Sequence, residues 1–467
     1  MNSAINEVSH HRSGIGNRRS FLSAGAGVAM AGGLSLSSWN PLRAAMKRSD
    51  SLHGPVRVTD IEVHEITDEF VDWEAYQLNH YYGPWKRTIY VVHTNTGLVG
   101  LGESGEPETQ ETIEKYIGTS PFDWVGDETS LGLGTAMYDL MGKAAIVPVY
   151  KLFGQRYRRW VPVSSWTVST HPSRMAEAVE QYSRMGYTWM KYHLSPFENV
   201  LDQMEAMQAV APRGFRIHHD FTMHGTNDHM FELLEKISQY PIAGCFEDPL
   251  TSRDIDGHAE LRKRCRLPIV YHHSPLGATF EVQMRAADVY MLGHQRIGTA
   301  IRRAGLFAGA NIPFMLQNSG GNITRAMVTH MQSAFKTASF HFVSATEIKK
   351  WDVVKERLEP VNGFLRVPES PGLGVTLDRS ELERVKQLDV PGQDKWIVKT
   401  HFDNGTIMYN IHDPKDSIFM VRPDRRRLLP MSYDAPVTTE YWDDDGSTGY
   451  RNMFARIERE GVVLVQK

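Results

Sequence analysis

The 467-residue sequence predicts an α/β protein: a small α+β domain, then a (β/α) barrel, then an additional C-terminal segment. Three observations lead there. Strand-like alternation followed by a helical stretch fills residues 56–158. Short apolar runs, each followed by an amphipathic segment, recur through 159–378. That rhythm then stops near Leu377. Strands separated by helix-length segments pair in parallel, because a parallel pair needs a crossover connection, and many such units close into a barrel more readily than they spread as an open sheet.

The first 45 residues read as an address. Asn17-Arg18-Arg19-Ser20-Phe21-Leu22 resembles a twin-arginine export signal, an apolar run rich in Gly and Ala continues to about Leu36, and cleavage is expected near Ala44 or Ala45. That run is too short and too rich in Gly and Ser for a good membrane span, so the mature protein is expected to be periplasmic or extracellular, with no membrane span.

Val56–Glu65 alternates as a strand, and a polar and aromatic stretch runs from Asp68 to Lys86. A second strand, Thr88–Thr94, turns through Asn95-Thr96-Gly97 into Leu98–Gly102, and residues 108–153 are helical by pattern, ending at Gly154. Barrel strands are expected at Tyr187–Tyr192, Phe215–Asp220, Gly244–Glu247, Leu267–His272, Val289–Leu292 and Ile312–Leu316. Residues 379–467 hold strand-like stretches at Trp396–Thr400, Thr406–Asn410 and Ser417–Val421, a basic run at Arg425-Arg426-Arg427 and an acidic one at Asp443-Asp444-Asp445. They are expected to pack on the main body or on a neighbouring subunit.

Composition narrows the function. Hydrophobic residues at 41% suffice for a proper core, and a net charge of -4 offers no basic footprint for nucleic acid. Cys245 and Cys265 are too few for a disulfide framework or a thiolate metal site. No glycine-rich dinucleotide fingerprint follows a strand.

In a (β/α) barrel the chemistry lies at the C-terminal strand ends. The polar residues closing the apolar runs are Lys191 and His193, Asp220, Glu247 (followed by Asp248) and His273, at steps of about one βα unit. Residues two apart on a strand share a face, so Lys191 and His193 both point at the mouth. By the same alternation His218 lies one layer beneath Asp220, while His219 and His272 turn toward the helices. Acidic groups crowded at one mouth repel unless a cation neutralises them, which argues for a divalent metal.

Three segments carry a family resemblance. Gly97–Glu103 (GLVGLGE), Gly134–Lys143 (GTAMYDLMGK) with Pro148–Gly154 (PVYKLFG), and Gly363–Pro368 with Pro371–Gly374 are together similar to the enolase superfamily, on its mandelate racemase and muconate-lactonising branch. The resemblance spans residues 56–378. It implies an enolase-like fold, an N-terminal α+β capping domain on a modified (β/α)7β barrel, often in homo-oligomers. It implies abstraction of the proton α to a metal-bound carboxylate. Asp220 and Glu247 then fall at the first two metal-ligand positions. His273 falls at the third, where the family has a carboxylate. Mg²⁺ is the family's ion, and an imidazole there would favour Mn²⁺, Fe²⁺ or Zn²⁺. Lys191 would bind the substrate carboxylate, and His193, in place of a second lysine, would act as base or acid.

The family's opposite-face machinery is missing. Gly293 and Gln317 stand at the ends of the sixth and seventh strands, with His294 adjacent. A one-base reaction, dehydration of an acid sugar or related hydroxy acid, is therefore expected ahead of racemisation, epimerisation, cycloisomerisation or mere binding. The 68–86 stretch corresponds to the family's specificity loop. Its His80, Tyr82, Trp85 and Lys86, with His224, His294 and Gln317, are the expected contacts to a small carboxylated substrate.

Overall fold

The computed structural model describes residues 55–222, 227–392, 394–414 and 432–466. The export signal, His224, the expected strand Ser417–Val421 and the Arg425–Arg427 run lie outside them. No helix among the described residues is long and apolar enough to cross a membrane.

Strands β1 (Val58–Asp68), β2 (Trp85–Thr94) and β3 (Val99–Ser104) form an antiparallel sheet in the order β1-β2-β3. The helix Leu131–Ala144 packs on it, and glycines make the approach possible. A Cβ at Gly100 would stand 2.5 Å from the Ala136 carbonyl oxygen, and one at Gly102 would stand 2.2 Å from that of Gly132. The expected single helical region over 108–153 is instead several pieces, Gln110–Glu114, Leu131–Ala144 and Tyr150–Phe153, around a turn at Pro121–Trp124. Ser120 caps that turn, its hydroxyl accepting from the Phe122 amide while its own amide donates to the Asp123 carboxylate, and Pro121 follows it.

Eight parallel strands close the barrel: β4 (Trp160–Val168), β5 (Trp189–His193), β6 (Arg216–Asp220), β7 (Ala243–Glu247), β8 (Ile269–Tyr271), β9 (Val289–Gly293), β10 (Phe314–Gln317) and β11 (Phe342–Val343), with β11 pairing back on β4. A helix follows each of the first seven, so the fold is a (β/α)7β barrel as expected. The short β12 (Phe364–Arg366) lies antiparallel on β4.

Buried polar groups join the sheet to the barrel. Arg87 donates to Asp68 from Nε and Nη2 and to Glu103 from Nη1 at 2.6 Å. Glu103 in turn accepts from the Gly321 amide and from the amide and hydroxyl of Thr324. A carboxylate there meets the free amides and positive dipole end of the helix Asn322–Ala334. Asp139 accepts from the amides of Leu101 and Leu373, linking β3 to the closing loop.

The C-terminal residues form a third sheet, β15 (Val437–Trp442), β13 (Trp396–Phe402), β14 (Thr406–His412) and β16 (Val463–Gln466) in that order, backed by the helix Thr448–Glu460. They pack on the main body of the same chain. Tyr433 donates to the Phe221 carbonyl in the loop after β6, and Trp396 Nε1 donates to the His80 carbonyl.

Candidate active site at the barrel mouth

The aligned ends of β5, β6 and β7 put Lys191, His193, Asp220 and Glu247 within reach of one another. His193 pairs in register with Asp220, and Asp220 with Glu247. All four are buried, Lys191 and Glu247 completely. The Lys191 ammonium lies 3.0 Å from Asp220 Oδ2 and 2.7 Å from Glu247 Oε2, and it donates to Gln317 Oε1 at 2.8 Å. His193 Nε2 is 3.1 Å from Asp220 Oδ2, and its Nδ1 is 3.3 Å from the Tyr82 hydroxyl. One layer down, His218 Nε2 is 2.7 Å from Glu247 Oε2.

The fifth strand end differs from expectation. His272 Nδ1, not His273, meets Glu247, at 2.9 Å from Oε1. His273 Nδ1 instead meets Asp248 Oδ2 at 2.6 Å, and its side chain is 43% exposed. The reason is local. β8 ends at Tyr271, so strand alternation no longer governs the next residues, and Asp248 holds their turn by accepting from the amides of both His272 and His273. His219 does turn outward as expected, toward Met204.

Glycine at 293 is part of the same arrangement. A Cβ there would fall 2.0 Å from His272 Nε2, so the imidazole from β8 fills the space that a side chain at the end of β9 would need. His294 beside it is exposed, in a left-handed backbone conformation (φ 51°), with its amide donating to the Gln317 carbonyl.

The lid stretch contains a helix, Ala75–Tyr82, that alternation did not show. Of its expected substrate contacts, only Tyr82 reaches the strand ends. Trp85 packs on Tyr82 and Trp166. His80 is turned away, with Nε2 2.7 Å from Asp443, and Lys86 is exposed on β2 opposite Thr67. Glu74, at the start of the helix, accepts from the hydroxyls of Thr167 and Tyr182, which ties the lid to the barrel.

Electrostatics divide the two basic groups. Burial works against the charge on Lys191, but Asp220 and Glu247 overcome it and raise its pKa, so it stays an ammonium. Burial lowers His193 despite the pull of Asp220, so it stays a neutral imidazole able to accept a proton. Burial pushes both carboxylates up, and the charge of Glu247 adds to this at Asp220; Lys191, with His193 at Asp220 and with His218 and His272 at Glu247, more than reverses it, and both remain ionised.

A capped (β/α)7β barrel with a cation and paired carboxylates at its mouth defines the class. Residues 174–381 match the family profile described as enolase C-terminal domain-like. Arabinonate dehydratase of Saccharolobus solfataricus is 23% identical over 335 residues, 63% of this chain and 89% of that protein. The N-succinyl-L-Arg/Lys racemase of Bacillus cereus is 23% identical over 347 residues, 65% of this chain and 91% of that one. The dipeptide epimerase of Cytophaga hutchinsonii, solved with Mg and D-Ala-L-Val, superposes with a TM-score of 0.60 at 19% identity, covering 70% of this chain and 98% of that one. The chain belongs to the enolase superfamily, in its mandelate racemase and muconate-lactonising family.

Enzymes of this superfamily use a divalent metal, typically Mg. Asp220 and Glu247 fit such an ion: two buried carboxylates directed at one positive atom make a cation site. The third oxygen donor has no counterpart among the described residues at this point, where His272 stands instead. Asp248, His272 and His273 also bring one ligand atom each within 4.8 Å of one another. A mixed carboxylate and imidazole set suits Mn²⁺, Fe²⁺ or Zn²⁺ better than Mg²⁺.

Proposed function

We propose that this protein dehydrates an acid sugar or related hydroxy acid, beginning with removal of the proton α to its carboxylate. The observation carrying this reading is the split between two neighbours on β5: Lys191 held as a cation and His193 held as a neutral base, both facing one buried point. A divalent ion held by Asp220 and Glu247 would stabilise charge developing on the substrate carboxylate.

The chain's own groups do the rest. Lys191 binds the carboxylate by charge. The His193 imidazole takes the α-proton, the C–H electron pair becomes the new C=C bond, and the β-hydroxyl leaves as water with a proton from an acid on the other side. His272 is placed for that second role, because its ring occupies the end of β9. Tyr82 and the lid helix close the site on the His193 side and exclude bulk water.

One observation favours a second reading. Two imidazoles on different sides of the mouth, His193 and His272, also match a two-base isomerase, despite Gly293 and Gln317. The test is to incubate purified protein with a panel of aldonic acids and Mn²⁺ or Mg²⁺ in D2O. Loss of one water by mass supports dehydration. Deuterium at the α-carbon with unchanged connectivity supports the isomerase. Neither event with any acid would sink both.

The proposal includes export. The Arg18-Arg19 pair and the apolar run behind it support passage in the folded state to the periplasm or beyond. Retention of the Arg18→Lys/Arg19→Lys variant in the cytoplasmic fraction would bear this out, and unchanged export would reject it.

A further inference from the structure

Beneath the strand ends lies a second group of ligand-type side chains that the proposed chemistry leaves unused. His218 on β6, Cys245 on β7 and His341 just before β11 are all buried. One ligand atom from each lies within 4.8 Å of the other two. His218 pairs in register with both Lys191 and Cys245, so the group sits one layer inward from Asp220 and Glu247. His218 Nδ1 is 2.9 Å from His341 Nε2, and its other nitrogen faces Glu247 Oε2 at 2.7 Å.

We propose that His218, Cys245 and His341 form an inner Zn²⁺ site, bound through Nδ1, Sγ and Nε2 respectively, with Glu247 as the carboxylate that steadies His218. The cysteine count alone argues against a thiolate site. The barrel changes this by bringing two imidazoles from other strands to one thiol. One thiolate and two imidazoles are a donor set for a borderline ion such as Zn²⁺, and a poor one for Mg²⁺. A carboxylate behind a zinc-binding imidazole is a recurrent arrangement, and it fixes which nitrogen carries the proton. A proton on Nε2, the nitrogen that faces Glu247, would leave Nδ1 to bind the ion.

The two imidazoles need little movement. Zinc–nitrogen bonds of about 2.0–2.1 Å in a tetrahedral site place two nitrogens roughly 3.4 Å apart. The present N···N contact therefore opens by about half an ångström, within the reach of small side-chain rotations. The Cys245 thiol proton is released to solvent, and the His341 proton moves from Nε2 to Nδ1, so one proton leaves per ion.

The test uses the full chain produced in zinc-supplemented medium and dialysed against buffer. X-ray absorption at the zinc edge of the unaltered protein should show one sulfur and two or more nitrogen or oxygen neighbours. In D220N, which removes the carboxylate site at the mouth, zinc in near-equal amount to protein should remain, and it should fall at least tenfold when C245S or H341Q is added. Near-UV circular dichroism matching the unaltered protein shows that the variants fold. Zinc with no sulfur neighbour, zinc lost in D220N, or no zinc at all would each overturn the assignment. Those readouts are independent of turnover, so they stand whichever reaction the mouth performs.

Discussion

Replacing Lys191 with methionine removes the one fixed positive charge between Asp220 and Glu247 while keeping much of the side-chain volume. The local charge of the three side chains passes from -1 to -2, in a place from which water is excluded. Breaking a buried ion pair by removing one partner costs about 3–5 kcal/mol, since the remaining charge stays desolvated. In a chain this long each kcal/mol moves the melting temperature by about 1 °C, so K191M should melt roughly 3–6 °C lower in chelator. A divalent ion should then restore the loss, because it takes the point the ammonium vacated. At one hundred times its dissociation constant the ion contributes about 2.7 kcal/mol. In the unaltered protein the ion competes with the ammonium and should stabilise less. The assay is differential scanning fluorimetry with Mn²⁺ titrated into both proteins. A variant as stable as the parent in chelator, or equal stabilisation of both by Mn²⁺, would refute the view that this lysine fills a cation site.

Three further outcomes follow from the same geometry. R87M leaves Asp68 and Glu103 buried without their guanidinium and should cost about 3–5 kcal/mol in urea unfolding; a loss below about 1 kcal/mol would mean the sheet and barrel are joined some other way. G293A places a methyl group in the His272 ring, so the ring must move, and turnover should drop on the order of a hundredfold with stability reduced by only about 1–3 kcal/mol; full activity would remove His272 from the chemistry. Burial lowers His219 to about 3, and His330 and His412 to about 4. Unfolded, they titrate near 6.5, so the stability they contribute is complete above that pH and is lost as pH falls toward 4. At pH 5 each accounts for up to about 2 kcal/mol. Glu74, raised by burial to about 8, works in the opposite sense. The comparison is therefore between the parent and H330Q, whose urea midpoint should fall less from pH 7.5 to pH 5, and equal falls would rule His330 out.

Strand alternation was enough to find Lys191, His193, Asp220 and Glu247, because they lie on strands of five residues whose register continues to the last position. It failed at His272 and His273 because β8 has only three residues, and a carboxylate on the neighbouring strand sets the turn beyond it. His341 went unread for a similar reason: β11 is two residues long and gives no periodic signal. The helix Ala75–Tyr82 was hidden because its buried face includes the polar Gln77 and His80, and His80 is held by Asp443, distant in sequence. Gly100 and Gly102 were legible as a motif, and their cause, the approach of the helix Leu131–Ala144, is a property of three dimensions alone.

The clamp on the lid helix joins the stretch between β1 and β2 to the C-terminal sheet. His80 meets Asp443 across 363 residues of sequence, and the Trp396 indole meets the His80 carbonyl across 316. During synthesis the barrel strands can pair with neighbours already made, whereas these contacts wait for the last part of the chain. Closing such distant contacts is slow relative to local ones. The cover over the mouth is therefore among the last parts to assemble, so a nascent chain holds its strand-end carboxylates open to ions in the surrounding fluid until translation finishes. The ions around the chain while it completes folding are then the first that those carboxylates meet.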